Sequence, residues 1–245
     1  MKVSVITTTY NHKDTIARSI KSVQSQKGVE FEHIVIDDTN TNNGMMRTFQ
    51  EAFNRCSGEY ICFCDGDDYW ISDNKIKRQV EYMDANKDCG LCITNVYTES
   101  KGLRTGMPVS ADEINKNMSF DALLRGSAHI HAQSYMLRKS DFDRYVDFDK
   151  FVDKKLNVWD YPIVLELIKH KRFHCLDFYS AVFVKNTESV TQTQSRIKRL
   201  KYVLGDHRIK WYYILKYGCK PFTVLYVAYK FARDIYSIIF KRWYR

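Results

Sequence analysis

The chain has little of what flexible linkers are made of, with three prolines and ten glycines among its 245 residues. It also lacks internal repeats and tracts of low complexity, so the sequence predicts folded structure with little room for long linkers. No run of about eighteen apolar residues is present, which argues against a membrane-spanning helix. The nearest candidate, Phe222 to Tyr229, ends at Lys230.

The chain shows no sign of the disulfide framework that is typical of small secreted proteins. Its seven cysteines are an odd number, and most of them lie within apolar runs. Met1 and Lys2 lead directly into a strand-like segment instead of a signal peptide. We therefore expect reduced thiols and a cytoplasmic protein.

The net charge of +9 is distributed unevenly along the chain. Residues 196–245 contain thirteen Lys or Arg and two Asp, so residues 1–195 are close to neutral. A nucleic-acid-binding domain more often spreads its basic surface through its fold, and we expect no nucleic-acid partner. We predict a catalytic domain over residues 1–195 and a basic, aromatic, helical extension over residues 196–245.

Buried strands that end in carboxylates are the main structural signal of the first third of the chain. Apolar or β-branched runs, separated by helical patterns, predict strands at Val3–Thr9, at 32–38 and at 60–64. This order predicts an α/β fold with a doubly wound, mostly parallel sheet. The second and third strands end in acidic residues, namely Asp37, Asp38, Asp65, Asp67 and Asp68.

These acidic residues predict a ligand site, because ligands bind at the carboxyl ends of the strands in α/β sheets. Clustered carboxylates are costly to bury unless a cation offsets their charge. We interpret them as a site for a divalent metal held by Asp67, with help from Asp65, that bridges to a phosphorylated ligand. The alternative is that the aspartates only cap turns and helices, an alternative that is strongest for Asp68.

Four motifs in this order resemble those of the family 2 glycosyltransferases, which have the GT-A fold. They are Val5–Asn11 (VITTTYN), Ile34–Asp38 (IVIDD), Gly58–Ile61 (GEYI) and Asp65–Trp70 (DGDDYW). The resemblance covers about residues 1–190. It is closest to bacterial enzymes that build capsule, O-antigen or exopolysaccharide repeats.

The resemblance implies a nucleotide-diphosphate sugar as donor and Mn²⁺ or Mg²⁺ as cofactor. By motif position, Thr8 and Tyr10 would line the nucleoside pocket, and Asp38 would accept a hydrogen bond from the base. Asp65 would lie near the ribose and the metal, and Asp67 would bind the metal directly. The reaction implied is inverting transfer of a sugar to a glycan or lipid-linked glycan hydroxyl.

The resemblance also implies a catalytic base at the start of a later helix. The sequence Trp159-Asp160-Tyr161-Pro162 fits, with Asp160 as the base and proline in the first helical turn. Asp160 could instead be an ordinary N-cap. Asp153 and Glu166 are rival candidates for the base.

One departure from the family pattern lies after the second strand. Asp38 is followed by a short polar loop, residues 39–44, and then directly by a helix, so a segment that relatives usually have is missing. The alternative function is therefore a degenerate, non-catalytic module that binds a nucleotide or a glycan.

The last segment, residues 220–245, predicts an amphipathic helix. Leu225, Ala228, Ala232, Ile235 and Ile239 fall on one helical face, with aromatic and basic residues around them. We interpret it as a peripheral anchor on the inner leaflet of the plasma membrane, where a polyprenyl-linked acceptor would be available. The alternative is a helix that packs on the catalytic domain or on a second copy in a homodimer.

Overall fold

The computed structural model describes residues 1–39, 44–128, 130–185 and 195–240. Its strands are β1 Val3–Thr9, β2 Phe31–Asp37, β3 Tyr60–Phe63, β4 Tyr69–Trp70, β5 Cys89–Ser100, β6 Leu103–Thr105, β7 Met136–Arg138 and β8 Arg172–Val184. Its α-helices are α1 Ile16–Gln24, α2 Met45–Arg55, α3 Lys75–Ala85, α4 Ala111–Asn117, α5 Phe120–Arg125, α6 Lys139–Tyr145, α7 Phe148–Asp153, α8 Asp160–Leu167, α9 Arg196–Tyr217 and α10 Pro221–Phe240. A short 3₁₀ helix spans Ala132–Ser134.

The strands form one sheet in the order β2-β1-β3-β7-β5-β8-β4, and β6 pairs with β5 as a hairpin. Most residue pairs are parallel, since β1 runs parallel to β2 and β3, and β5 runs parallel to β8. Strand β7 is antiparallel to both of its neighbours and joins the two parallel halves. The α/β fold with a mostly parallel sheet, predicted from the order of elements, is confirmed.

Helices cover both faces of the sheet, because strand side chains alternate between two cores. On β3, Ile61 and Phe63 enter one core, and Tyr60 and Cys62 enter the other. The first core includes residues of α2, α5 and α8, and the second includes residues of α1 and α3. This two-sided burial explains why the apolar run of β3 is continuous.

Helices α9 and α10 pack against the rest of the molecule through buried side chains. Ile209, Tyr213 and Val227 belong to the first core, and the Tyr213 hydroxyl donates to the Pro162 carbonyl oxygen at 3.1 Å. The division that we predicted at residue 195 stays a prediction. The contacts of Tyr213 show that α9 helps to hold α8 in place.

Helix α10 has a buried side and an exposed apolar side. Val227 and Ile238 are buried. On α10, the large apolar side chains that are more than half exposed are Phe222, Leu225, Tyr229, Tyr236, Ile239 and Phe240. Among the residues that the structure describes, no helix is both long and apolar enough to cross a membrane.

Candidate active site

The carboxyl end of β1 lies between the carboxyl ends of β2 and β3. Thr9 is in register with Asp37, and the backbone N–H of Asp38 donates to the carbonyl oxygen of Thr9 at 2.9 Å. On the other side, the N–H of Gly66 donates to the carbonyl oxygen of Thr8 at 2.9 Å. The two acidic segments therefore meet at one edge of the sheet, which is the edge where α/β proteins bind ligands.

Three residues that we predicted to contact the nucleoside lie around this edge. The Thr8 hydroxyl donates to Asp65 Oδ1 at 3.3 Å, and Tyr10 is 49% exposed. Asp38 is buried, and its Oδ2 accepts a hydrogen bond at 3.1 Å from the N–H of Gly44, directly before α2. The Asp38 carboxylate thus supports the start of α2, and its role in base recognition stays a prediction.

Helix α1 holds the backbone of the turn Asp65–Asp68. The side chains of Thr15, Arg18 and Ser19 lie three and four residues apart, on one side of the helix start. Thr15 Oγ1 lies 2.7 Å from the Gly66 oxygen, Arg18 Nη2 lies 3.4 Å from the Asp67 oxygen, and Ser19 Oγ lies 2.8 Å from the Asp65 oxygen and also contacts the Asp68 oxygen. All four carbonyl oxygens of the turn are therefore tied to α1.

Two further features fix the same turn. A Cβ on Gly66 would lie 2.9 Å from Thr9 Cβ, so only glycine allows this close approach to the end of β1. The buried carboxylate of Asp68 accepts a hydrogen bond at 2.8 Å from the N–H of Val184 in β8. Asp68 therefore joins the turn to β8, whereas the N-cap of α3 is Asn74.

Asp160 is the first residue of α8. Its charge acts on Asp65 in the turn Asp65–Asp68, which we call the acidic turn. The preceding Trp159 is buried and stacks on Phe49 of α2 at a centroid distance of 3.9 Å. Trp159 also packs against Phe63 of β3 at 4.6 Å. Asp160 Oδ1 accepts a hydrogen bond at 2.8 Å from the N–H of Tyr161. The aromatic contacts thus anchor the start of α8 to the strand that leads into the acidic turn.

The carboxyl group of Asp65 lies within the electrostatic reach of Asp67 and Asp160. Burial, followed by the charges of Asp67 and Asp160, raises the pKa of Asp65 to about 7. Burial also raises the pKa of Asp160. Because burial and like charges both disfavour the ionised forms, a bound cation would stabilise this cluster.

The two rival candidates for the base have different surroundings. Glu166, at the other end of α8, is buried and accepts hydrogen bonds from Lys216 Nζ and from the Tyr217 hydroxyl, both at 2.6 Å. Asp153 is the last residue of α7 and is exposed. Among the three, Asp160 is the one whose charge acts on Asp65.

The acidic turn fits a divalent cation only if a ligand completes its coordination shell. Within the described ranges, no group of three or more His, Cys, Asp or Glu side chains could hold a metal ion alone. Carboxylate oxygens suit Mg²⁺ and Mn²⁺, and Mg²⁺ is usually held by one or two carboxylates together with substrate phosphates. Asp67 and Asp65 are of the residue type that would suit this arrangement, in which a diphosphate would supply the remaining oxygens, and their role as metal ligands stays a prediction.

Sequence reasoning missed the contribution of α1 to the site. Ser19 of this helix is fully buried, and its hydroxyl contacts the backbone of the acidic turn. The available signal was the spacing of Thr15, Arg18 and Ser19, which places three polar donors on one side of the helix start. The contact between Asp68 and Val184 had no signal in the sequence, because it depends on tertiary packing.

Solved structures of glycosyltransferases have a similar fold. S. aureus TarS in complex with UDP-GlcNAc has a TM-score of 0.67 and 16% identity, covering 97% of this chain and 73% of that one. The mannosyltransferase PcManGT from Pyrobaculum calidifontis, in complex with GDP-Man and Mn²⁺, has a TM-score of 0.61 and 13% identity, with coverages of 97% and 72%. The molecule therefore has the GT-A fold.

The family model described as "Glycosyl transferase family 2" matches residues 4–43 and 38–146. The chain therefore belongs to family 2 of the glycosyltransferases, as its motifs indicated. The two matched pieces overlap at residues 38–43, the place where we expected a segment to be missing.

Two curated relatives from Escherichia coli are named as UDP-Glc:α-D-GlcNAc-diphosphoundecaprenol β-1,3-glucosyltransferases. WfaP is 31% identical over 135 residues, which is 46% of this chain and 53% of WfaP. WfgD is 24% identical over 244 residues, which is 88% of this chain and 91% of WfgD. The match to WfaP thus spans about half of that relative's length.

Proposed function

We propose that this protein is an inverting, metal-dependent glycosyltransferase that transfers a sugar from a nucleotide-diphosphate sugar to a hydroxyl of a lipid-linked glycan. The observation that carries the proposal is the meeting of the acidic ends of β2 and β3 at the carboxyl edge of the sheet, where the charges of Asp67 and Asp160 both act on Asp65. The names of WfaP and WfgD support a diphosphate-lipid-linked acceptor. The donor sugar, its nucleotide and the linkage formed are outside this proposal.

The donor would bind at the ends of β1, β2 and β3. Thr8 and Tyr10 would contact the nucleoside, Asp38 the base, and Asp65 the ribose and the metal. Asp67 would hold Mn²⁺ or Mg²⁺, which supplies positive charge that stabilises the departing diphosphate. The hydrogen bonds from α1 would keep the Asp67 backbone in place during the reaction, so that little reorganisation is needed.

Asp160 would act as the general base. Its carboxylate accepts the proton of the acceptor hydroxyl while that oxygen attacks the anomeric carbon and the bond to the diphosphate breaks. A single in-line displacement inverts the anomeric configuration and needs no nucleophilic side chain. Burial raises the pKa of Asp160, which makes its carboxylate a stronger base than an exposed aspartate.

The direct test is transfer or donor hydrolysis by the purified protein with a panel of nucleotide sugars and Mn²⁺ or Mg²⁺. We expect turnover with one donor class, its loss in EDTA, and its loss in Asp67→Ala. Product analysis by NMR would show whether the anomeric configuration is inverted. Turnover that is unchanged in Asp67→Ala would contradict the assignment of the metal site.

The second candidate is a non-catalytic module that binds a nucleotide or a glycan. The division of the family match into two pieces at residues 38–43 supports it, because we expected a segment to be missing there. This candidate predicts that a nucleoside diphosphate or a glycan binds, but that no donor is consumed by the wild-type protein. The same panel of donors therefore decides between the two functions.

We further propose that the protein acts at the cytoplasmic face of the plasma membrane, attached through α10. The exposed apolar side of the helix, defined here as Phe222, Leu225, Tyr229, Tyr236, Ile239 and Phe240, supports this proposal. Arg233 and Lys220 are exposed on the same helix or next to it, and basic residues favour an anionic lipid surface. Residues 241–245 of the predicted anchor lie outside the described residues.

Sedimentation with anionic vesicles tests this attachment. Removing everything after residue 195 would strip buried residues such as Tyr213 from the core, so substitutions on the exposed side are the better test. We expect the double variant Leu225→Ser and Ile239→Ser to lower vesicle binding at least about tenfold. Each substitution removes an apolar side chain whose transfer from water into the bilayer would favour binding. Val35→Ser, an exposed position on β2, should leave binding unchanged.

Two other results would overturn the membrane proposal. Equal vesicle binding by the double variant and the wild type would show that α10 does not face lipid. A concentration-dependent dimer that the same double variant abolishes, without vesicle binding by the wild type, would assign the exposed side to a second copy of the chain.

A further inference from the structure

Two arginines and one carboxylate form a cluster beside the acidic turn. The cluster, which we call the arginine pair, consists of Arg18 of α1 and Arg104 of β6, with Glu99 of β5 between them. Arg18 Nη1 lies 3.9 Å from Glu99 Oε1, and Arg104 Nε donates to Glu99 Oε2 at 3.0 Å. Two positive charges thus flank one negative charge, and the cluster has a net positive charge.

Tyr69 fixes the positions of both guanidinium groups. The Arg18 guanidinium stacks over the Tyr69 ring, 4.0 Å from its centroid. Arg104 Nη2 lies 2.6 Å from the Tyr69 hydroxyl, which donates in turn to Glu99 Oε2 at 2.8 Å. Because the ring and the carboxylate hold both cations, little side-chain entropy remains to be lost when a ligand binds.

The arginine pair lies directly beside the site of the proposed chemistry. Tyr69 follows Asp68 in the chain, and Arg18 Nη2 approaches the carbonyl oxygen of Asp67 at 3.4 Å. Both arginine side chains remain accessible, at 42% for Arg18 and 47% for Arg104, whereas Glu99 is only 17% exposed. A ligand at the acidic turn would therefore meet the cations more readily than the carboxylate.

Guanidinium groups in a fixed arrangement are suited to phosphate oxygens, which they bind through paired hydrogen bonds. The carboxylates of Asp65 and Asp67 repel an anion on their own, so an anion that binds beside them needs cationic groups nearby. We infer that Arg18 and Arg104 form a binding subsite for a diphosphate group of a substrate. This inference rests on the proposed function only in that a substrate carries a diphosphate.

The molecule contains a matched control for a purely structural role. Arg172 donates from Nε to Asp88 Oδ2 at 2.8 Å and from Nη1 to the Tyr82 hydroxyl at 3.1 Å, and it is 44% exposed. Its partners and exposure thus resemble those of Arg104, but it belongs to the opposite, amino-terminal end of β8. Arg172→Gln therefore reports what loss of such a surface ion pair does by itself.

Binding of inorganic pyrophosphate in EDTA, followed by calorimetry, tests the subsite without requiring turnover. We expect Arg104→Gln to weaken binding about tenfold or more, because hydrogen bonds between charged groups are about twice as strong as those between neutral groups. Glu99→Gln should strengthen binding, and Arg172→Gln should leave it unchanged. Equal affinity in the wild type and in Arg104→Gln would overturn the inference.

Arg104→Gln is preferred to a substitution of Arg18, because Arg18 also contacts the Asp67 backbone. Arg104→Lys adds a second criterion, since it retains the charge but loses the planar fork. We expect it to recover only part of the pyrophosphate affinity. If Arg104→Gln and Arg172→Gln lower affinity equally, the effect is one of general charge and the subsite is rejected.

Kinetics identify which substrate carries the diphosphate. Two acceptors with the same sugar are compared, one linked to a diphosphate lipid and the other an uncharged alkyl glycoside. A higher KM for the diphosphate acceptor alone in Arg104→Gln assigns the subsite to the acceptor, and a higher donor KM with both acceptors assigns it to the donor. A lower kcat with unchanged KM values for donor and acceptors would contradict a binding role.

If the protein proves to be non-catalytic, the pyrophosphate measurement still decides the inference. Loss of turnover with retained, Arg104-dependent pyrophosphate binding would reject the proposed function and keep the subsite. Turnover together with pyrophosphate binding that does not depend on Arg104 would support the proposed function and reject the subsite.

Discussion

Helix α8 carries a carboxylate at each of its two ends, and the surroundings of these two carboxylates differ. Glu166, near the end of the helix, is buried against a lysine and a tyrosine hydroxyl of α9. Asp160, at the start, accepts from its neighbour's backbone N–H, and its charge acts on a second carboxyl group, that of Asp65. Burial alone therefore does not distinguish a structural from a functional acid, but the sign of the neighbouring charge does.

The largest difference between the two ends should be in activity. We expect Asp160→Asn to lower kcat by a factor of roughly 100 to 10,000, the usual contribution of a general base. Its melting temperature should be unchanged or higher, because the substitution removes charge from a cluster of carboxylates. Transfer assays and thermal melts on the same preparation check both parts, and near wild-type kcat would exclude Asp160 as the base.

Glu166→Gln should show the opposite pattern. It removes the charge partner of Lys216 and weakens the bond to Tyr217, so we expect a loss of stability of about 1.5 kcal/mol. The expected size is at the lower end of the usual range because Lys216 is 38% exposed. Denaturant unfolding measures the loss, and kcat for the folded fraction should remain within about twofold of wild type, a difference of about 0.4 kcal/mol.

A smaller effect is expected where α1 holds the acidic turn. Ser19→Ala removes the hydroxyl that contacts two carbonyl oxygens of the turn, and a hydrogen bond is worth about 1 kcal/mol. We expect the Mn²⁺ concentration at half-maximal activity to rise about fivefold, with a smaller change in kcat. Ser25→Ala, at the other end of α1, is the control, and an identical response of both variants would argue against a specific role for Ser19.

The smallest effect is expected at the third candidate for the base. Asp153 is exposed at the end of α7, so Asp153→Asn should change stability by less than about 0.5 kcal/mol. We also expect kcat to remain within a factor of two. A large loss of activity in this variant, with full activity in Asp160→Asn, would reverse the assignment of the two aspartates.

The sequence predicted those parts of the molecule that depend on local pattern. The apolar runs before Asp38 and Asp65 defined strands, and the order of the strands placed both aspartates at one edge. The start of α8 was predicted from Trp159-Asp160-Tyr161-Pro162. These features depend on residues that are close together in the chain, so one sequence was enough.

Features that depend on contacts between distant segments were not predicted. Glu166 remained a candidate base because its partner Lys216 lies 50 residues away. The donors of α1 were not predicted, since polar side chains at helical spacing usually face solvent. For α10, the predicted apolar face included Leu225 and Ile239, which are exposed, whereas Val227 and Ile238 face the protein.

Calorimetric binding of nucleoside diphosphates, with Mn²⁺ or with EDTA, tests the central claim most directly. If aspartates from separate strand ends hold a cation that bridges to a diphosphate, at least one nucleoside diphosphate should bind with Mn²⁺ and much more weakly in EDTA. Asp67→Ala should abolish the difference between the two conditions. Equal affinity of the wild-type protein in Mn²⁺ and EDTA would contradict the account.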